Sequence, residues 1–144
     1  MKFPISATLI LMFALASGCS QEPEAGVSSS PEDKEYVVIL SESNFQGSVL
    51  DSSKPVLVDF WAAWCGPCNH MTPVVEEIAQ EHEDRFVVGK VNTDEENALA
   101  LKYNISSIPA FLFFKDGKVA KSVVGVQSKD SLVKILESLE DNDG

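Results

Sequence analysis

The chain has 144 residues, enough for one domain and a short appendage, and carries 11 Lys and Arg against 22 Asp and Glu, a formal net charge of −11. That acidic balance argues against nucleic-acid binding, which needs a positive footprint, and disfavours docking on anionic lipid through basic side chains. Three cysteines are too few for a disulfide-scaffolded fold. In chain order, residues 1–18 read as a targeting segment. Lys2 supplies a positive start, residues 5–16 are apolar but too few for a comfortable membrane span, and Ala16-Ser17-Gly18 lead to Cys19. Residues 20–35 hold almost no apolar material and read as a tether, with a reach of roughly 20–25 Å as a coil. The folded domain starts at residue 36. Residues 36–40 read as a short strand, and Ser43 or Asn44 as the cap of a short helix running to about Leu50. Residues 55–61, β-branched and aromatic, read as a buried central strand. From Cys65 to about Glu83 the apolar residues Met71, Val74, Val75, Ile78 and Ala79 recur on one helical face. Residues 86–91 read as a strand, and residues 94–103 as a helix with acid in its first turn. Residues 110–114 and 118–124 flank Lys115-Asp116-Gly117, a hairpin signal. Residues 128–139 read as a final helix with Leu132, Ile135, Leu136 and Leu139 on one face. Strands alternating with helices and ending in a hairpin imply an α/β fold, a mixed central sheet with helices on both faces.

The chemistry concentrates where the central strand meets the long helix. Cys65 and Cys68 stand three residues apart there, with Cys65 at the helix N-terminus. Free N–H groups and the helix dipole favour an anion at that place, and a thiolate is the nucleophile of disulfide exchange. Cys65 is therefore expected to be the partly exposed attacker, and Cys68, inside the first turn, the shielded resolving thiol. A purely structural bridge across so small a loop stabilises little. Zinc would require about four ligands, which Cys65, Cys68 and His70 do not supply, so no metal is expected. Asp59 is the anomaly of the strand. A carboxylate among Val, Leu, Phe and Trp is costly unless neutral, paired or hydrated, and burial should raise its pKa.

The run Trp64-Cys65-Gly66-Pro67-Cys68, with Asp59 on the preceding strand, resembles the active site of the thioredoxin family. Pro73, Lys90, Ile108-Pro109, Gly117 and Gly125 match further family positions in order, so the resemblance covers roughly residues 36–140. It implies a thioredoxin fold and dithiol–disulfide exchange without a cofactor. It implies that Asp59 takes and returns the Cys68 proton through water, with Lys90 as its ionic neighbour. Gly66-Pro67 would tune the reduction potential, Gly-Pro accompanying the reducing members of the family. Pro109 would follow a cis peptide bond and hinder metal capture by the thiols, Ile108 would offer its backbone to an extended substrate, and Trp64 would present an apolar platform to clients. Trp61 is expected in a supporting position. Two departures stand out: Ala110 replaces a frequent Thr, and Asn69 replaces a frequent basic residue. Protein-disulfide reduction is the expected activity. A disulfide oxidase or isomerase, and a non-catalytic client-binding module, are the alternatives.

The segment ending in Ala16-Ser17-Gly18-Cys19 resembles a bacterial lipoprotein signal, in which cleavage precedes a cysteine that becomes diacylglyceryl-modified. The usual Leu three residues before the cysteine is Ala16 here, with Leu15 one further back. The resemblance implies a signal peptide over residues 1–18, a lipidated Cys19 and tether over 19–35, and a thioredoxin domain over 36–144. It implies an extracytoplasmic monomer held by lipid on the periplasmic side of a bacterial membrane. Its partners would be protein disulfides and a membrane electron donor that re-reduces the pair.

Overall fold

A computed structural model describes residues 34–141. The expected signal segment, Cys19 and most of the tether lie outside those residues. The elements are β1 (Val38–Ile39), α1 (Glu42–Phe45, continued by a π-helical turn Gln46–Leu50), β2 (Val56–Trp61), α2 (Gly66–Glu81), β3 (Val87–Asn92), α3 (Asn97–Lys102), β4 (Ala110–Lys115), β5 (Lys118–Val124) and α4 (Lys129–Glu140). The sheet order is β1-β3-β2-β4-β5. β1 and β2 run parallel to β3, whereas β4 runs antiparallel to β2 and β5 antiparallel to β4. This is the mixed α/β sheet of a thioredoxin domain, with β2 at its centre.

Period-two alternation along the strands divides the core into two layers. Leu57, Val88, Phe111 and Phe113 pack with Met71, Val75 and Ile78 of α2 and with Leu132 and Leu136 of α4. Val56, Val58, Phe60, Leu112 and Phe114 face the opposite way, onto Phe45, Val49 and Leu99 of the α1 and α3 side. Because β2 is flanked by two strands and covered on both faces, Asp59 is fully buried. It shares the face of Leu57, two residues away, on which α2 packs.

Several boundaries move. Ser41, not Ser43 or Asn44, caps α1; Asn44 stands at the third helical position, where its Oδ1 accepts from the Ser41 N–H at 2.8 Å. Helix α2 stops at Glu81 rather than about Glu83. Helix α3 begins at Asn97, after Glu96 as its cap, so Asp94 and Glu95 lie in the preceding turn and its first turn holds no acid. Asp94 instead folds back through its N–H to Asn92 Oδ1 at 3.0 Å, a local side-chain bond that competes with helix. β1 keeps only two paired residues, and among the described residues no strand pairs along its outer edge. The hairpin forms as read, with Asp116 and Gly117 both at positive φ (50° and 74°). A Cβ on Gly117 would stand 2.9 Å from the Leu50 carbonyl oxygen. Gly117→Ala should therefore lower the unfolding free energy by at least about 1–2 kcal/mol in urea titrations. In α4, Ser128 Oγ accepts from the Ser131 N–H at 3.2 Å, so the expected start of that helix stands.

Candidate active site

Cys65 is the N-cap of α2, with extended backbone angles (φ −84°, ψ 103°). Pro67, which has no N–H to leave unpaired, sits comfortably in the first turn that follows. Cys65 and Cys68 are joined as a disulfide, their Cα atoms 5.3 Å apart. The Cys68 N–H donates to Cys65 Sγ at 3.2 Å. That donor and the positive end of the helix both point at Cys65 Sγ, the arrangement that favours a thiolate there over a thiol. Cys65 is more enclosed than the sequence suggests: 4% of its surface is exposed, against 1% for Cys68. The order of the two is as expected, but the expected partial exposure of Cys65 is corrected. Trp61 at the end of β2, Ala62 just after it and Ile108 from the cis-proline loop close around the sulfurs, and the Ile108 contact is tertiary. Gly66 and Pro67 stay exposed at the rim, as do Asn69 and His70.

The Ile108–Pro109 bond is cis, and Ile108 lies half-buried against the cysteine pair. The Pro109 carbonyl accepts from the Gly125 N–H at 2.8 Å, which ties the loop to the end of β5. Trp64 is 71% exposed. Its indole Nε1–H donates to Asp94 Oδ2 at 2.9 Å, which fixes an apolar surface beside Cys65. A shallow groove of about 170 Å³ runs between Trp64, Thr93, Ile105 and Ile108. Trp61 is half-buried, as its supporting position requires.

Asp59 and Lys90 stand opposite each other in the β2–β3 register. Neither carboxylate oxygen of Asp59 has a hydrogen-bond partner. Burial pushes the Asp59 carboxyl up to about 7, against the pull of the nearby Lys90 ammonium. Lys90 acts on Asp59 as a charged neighbour, without a hydrogen bond between them. The Lys90 ammonium does not hydrogen-bond the carboxylate; it donates to Thr72 Oγ1 of α2 at 3.2 Å and lies over the Trp61 ring, 4.7 Å from its centroid. Both alternatives satisfy the cation while leaving the carboxyl free to exist neutral. Thr72 and Asp94 escaped the sequence reading. Asp94 lies 30 positions from its partner, which no local pattern reveals. Thr72 had a faint signal, a hydroxyl immediately before the helix-interior Pro73. Among the described residues, no cluster of three His, Cys, Asp or Glu side chains is placed to hold a metal.

A solitary dithiol at a helix N-terminus, enclosed by a cis-proline loop and backed by a buried carboxyl, defines a thiol–disulfide exchange protein. A family model described as Thioredoxin matches residues 36–138. Thioredoxin 1 of Synechococcus elongatus is 50% identical over 98 residues, 68% of this chain and 92% of the relative. A thioredoxin of Acidithiobacillus ferridurans is 48% identical over 102 residues, 71% of this chain and 94% of the relative. The chloroplastic M-type thioredoxin of Spinacia oleracea is 42% identical over 111 residues, 77% of this chain and 61% of the relative. The chain belongs to the thioredoxin family, and its Cys65–Cys68 pair makes it a protein-disulfide reductase.

Proposed function

We propose that this thioredoxin works outside the cytoplasm, anchored by lipid at Cys19, and that it passes electrons from a membrane donor to protein disulfides. The supporting observation is the N-terminal run: Lys2, the apolar residues 5–16 and Ala16-Ser17-Gly18-Cys19, followed by a polar stretch up to the family match at residue 36. Lipid modification that adds more than one acyl chain suffices for stable membrane attachment. Cys19→Ala should move the protein from the membrane to the soluble fraction and abolish incorporation of radiolabelled fatty acid. A parent protein that takes up no label and fractionates as soluble overturns the assignment.

The catalytic cycle follows from the site. The Cys65 thiolate attacks one sulfur of a client disulfide; a Cys65–client bond forms and the other client sulfur leaves as a thiolate. Cys68 gives its proton to Asp59, whose carboxyl, raised to about 7, is matched to a proton exchange near neutral pH. The Cys68 thiolate then attacks Cys65 Sγ and expels the second client sulfur, which takes up a proton. The client has gained two electrons and the enzyme holds the disulfide seen here. Lys90 moderates the Asp59 carboxyl from across the strand pair. Trp64, Gly66, Pro67, Ile108 and Pro109 form the rim that receives an extended client segment, Ile108 through its backbone. The domain acts as a monomer, since each step uses groups of one chain. The alternative direction, disulfide insertion, is separated by the equilibrium potential of the Cys65/Cys68 pair against glutathione. A potential near those of the reducing thioredoxins supports the proposal, and one near the periplasmic oxidants overturns it.

A further inference from the structure

Thr72 occupies a bridging place that the disulfide-exchange steps do not by themselves require. Its hydroxyl accepts from Lys90 Nζ at 3.2 Å and donates to the Cys68 carbonyl oxygen at 3.4 Å. One side chain of α2 therefore links the buried lysine to the backbone of the resolving cysteine. From these contacts we infer that Thr72 is a positioning residue for the proton step: it anchors the Lys90 ammonium to the active-site helix and so keeps it out of hydrogen-bonding contact with the Asp59 carboxyl. The inference rests on the proton role proposed for Asp59 and deepens it.

The argument is geometric. Asp59 and Lys90 are register partners on adjacent parallel strands, and both belong to the sheet face that α2 covers. Lys90 is 7% exposed, so its ammonium depends on protein partners, and two are visible: the Thr72 hydroxyl and the Trp61 ring. The Trp61 ring offers no directional acceptor, which leaves Thr72 as the group that sets where the ammonium points. Asp59, fully buried and without a hydrogen bond, is the unfilled acceptor nearest in the register. Removing the Thr72 oxygen takes away the competing acceptor. The ammonium then turns towards Asp59, favours its ionised form and makes it a weaker base for the Cys68 thiol.

The charged and titratable surroundings are few. β4 places the apolar Phe111 opposite Asp59 in the register, and the Cys65–Cys68 pair, joined as a disulfide, does not titrate in the oxidised protein. The cavity of about 510 Å³ that Lys90 lines also carries Lys34, Glu35 and Tyr36 from the segment before β1, and Glu76 from α2. Glu35 and Glu76 are exposed and already solvated, so they draw the ammonium less than a bare buried carboxyl does. A swing towards them would shift Asp59 in the opposite direction.

The test is a carbon-13 NMR titration of the Asp59 carboxyl in the oxidised protein. In Thr72→Ala the midpoint should fall by about one pH unit. Thr72→Ser, which restores the oxygen, should return it to the parent value. The Thr72→Ala, Lys90→Met double variant should show no fall, because no ammonium remains to move. The pH profile of the mixed-disulfide resolution step should shift in the acid direction with the titration. A midpoint that stays put or rises in Thr72→Ala overturns the inference, as does a loss of rate with no movement of the midpoint. Alanine is a better helix former than threonine, so α2 is retained, and Thr72→Val, equal in shape, gives the same reading independently. Failure of the Asp59 proton role itself would appear separately, as unchanged resolution kinetics in Asp59→Asn.

Discussion

Between about pH 4 and pH 8 the oxidised Asp59→Asn variant should gain about 4 kcal/mol of unfolding free energy relative to the parent protein. The sign follows from the raised carboxyl. In the unfolded chain Asp59 ionises near 3.8, while in the folded protein it holds its proton up to about 7. Across that window the folded state binds the extra proton, so the stability of the parent falls as pH rises and levels off above the folded value. Each pH unit is worth about 1.4 kcal/mol, and the window spans about three units. Asparagine cannot ionise and carries no such slope. Its own buried amide costs about 1–3 kcal/mol if left unpaired, but that penalty is independent of pH and cancels from the comparison. Urea denaturation of both proteins at several pH values measures the effect directly. Parallel stability curves would show that the carboxyl titrates normally and that its burial has no energetic consequence. The same substitution should slow resolution of the mixed disulfide by up to about 100-fold near neutral pH, the lower range of what a positioned proton acceptor supplies. A more stable enzyme that works more slowly marks Asp59 as a group kept for chemistry.

The two cysteines should fail in different ways. Cys65→Ser should reduce insulin-disulfide reduction to background, a loss of more than about three orders of magnitude, because a hydroxyl forms no comparable anion at neutral pH. Cys68→Ser should leave the first attack intact and stop the second. The Cys65–client bond then accumulates, and non-reducing gels followed by mass spectrometry should recover it at Cys65. The asymmetry has a visible basis: Cys65 Sγ receives the Cys68 N–H at 3.2 Å, whereas Cys68 is the more enclosed of the two. If Cys65→Ser formed the trapped species and Cys68→Ser did not, the roles would be reversed. Trapping from intact cells would also identify the clients and the donor.

The short-range features are legible in the sequence. Cys65 at a strand–helix junction, the apolar face of Met71, Val75 and Ile78, and the Asp116-Gly117 turn are all set by residues within a few positions of one another. Backbone sterics, side-chain period and hydrogen bonding to near neighbours act on that scale. The oddity of Asp59 was equally plain, because its apolar neighbours precede and follow it directly. The misread boundaries also have local causes. Asn44 bonds back to the Ser41 N–H instead of capping the helix, and the Asp94 N–H is taken by Asn92, which delays the start of α3.

What the linear chain determined by itself was the reacting pair, its helix, the alternation that builds a two-layered α/β core, and the resemblance that places it among thioredoxins. Only the tertiary structure decided how that pair is enclosed and served. Ile108 reaches the cysteines across 40 positions to cover the sulfurs, Trp64 is held by Asp94, and Lys90 turns to Thr72 and Trp61 rather than to Asp59. The physical reason is one of range. Propensity and periodicity act over a turn or a strand, whereas the burial of a sulfur and the choice of partner for a buried charge depend on which distant groups the packed sheet and helices bring within a few ångströms.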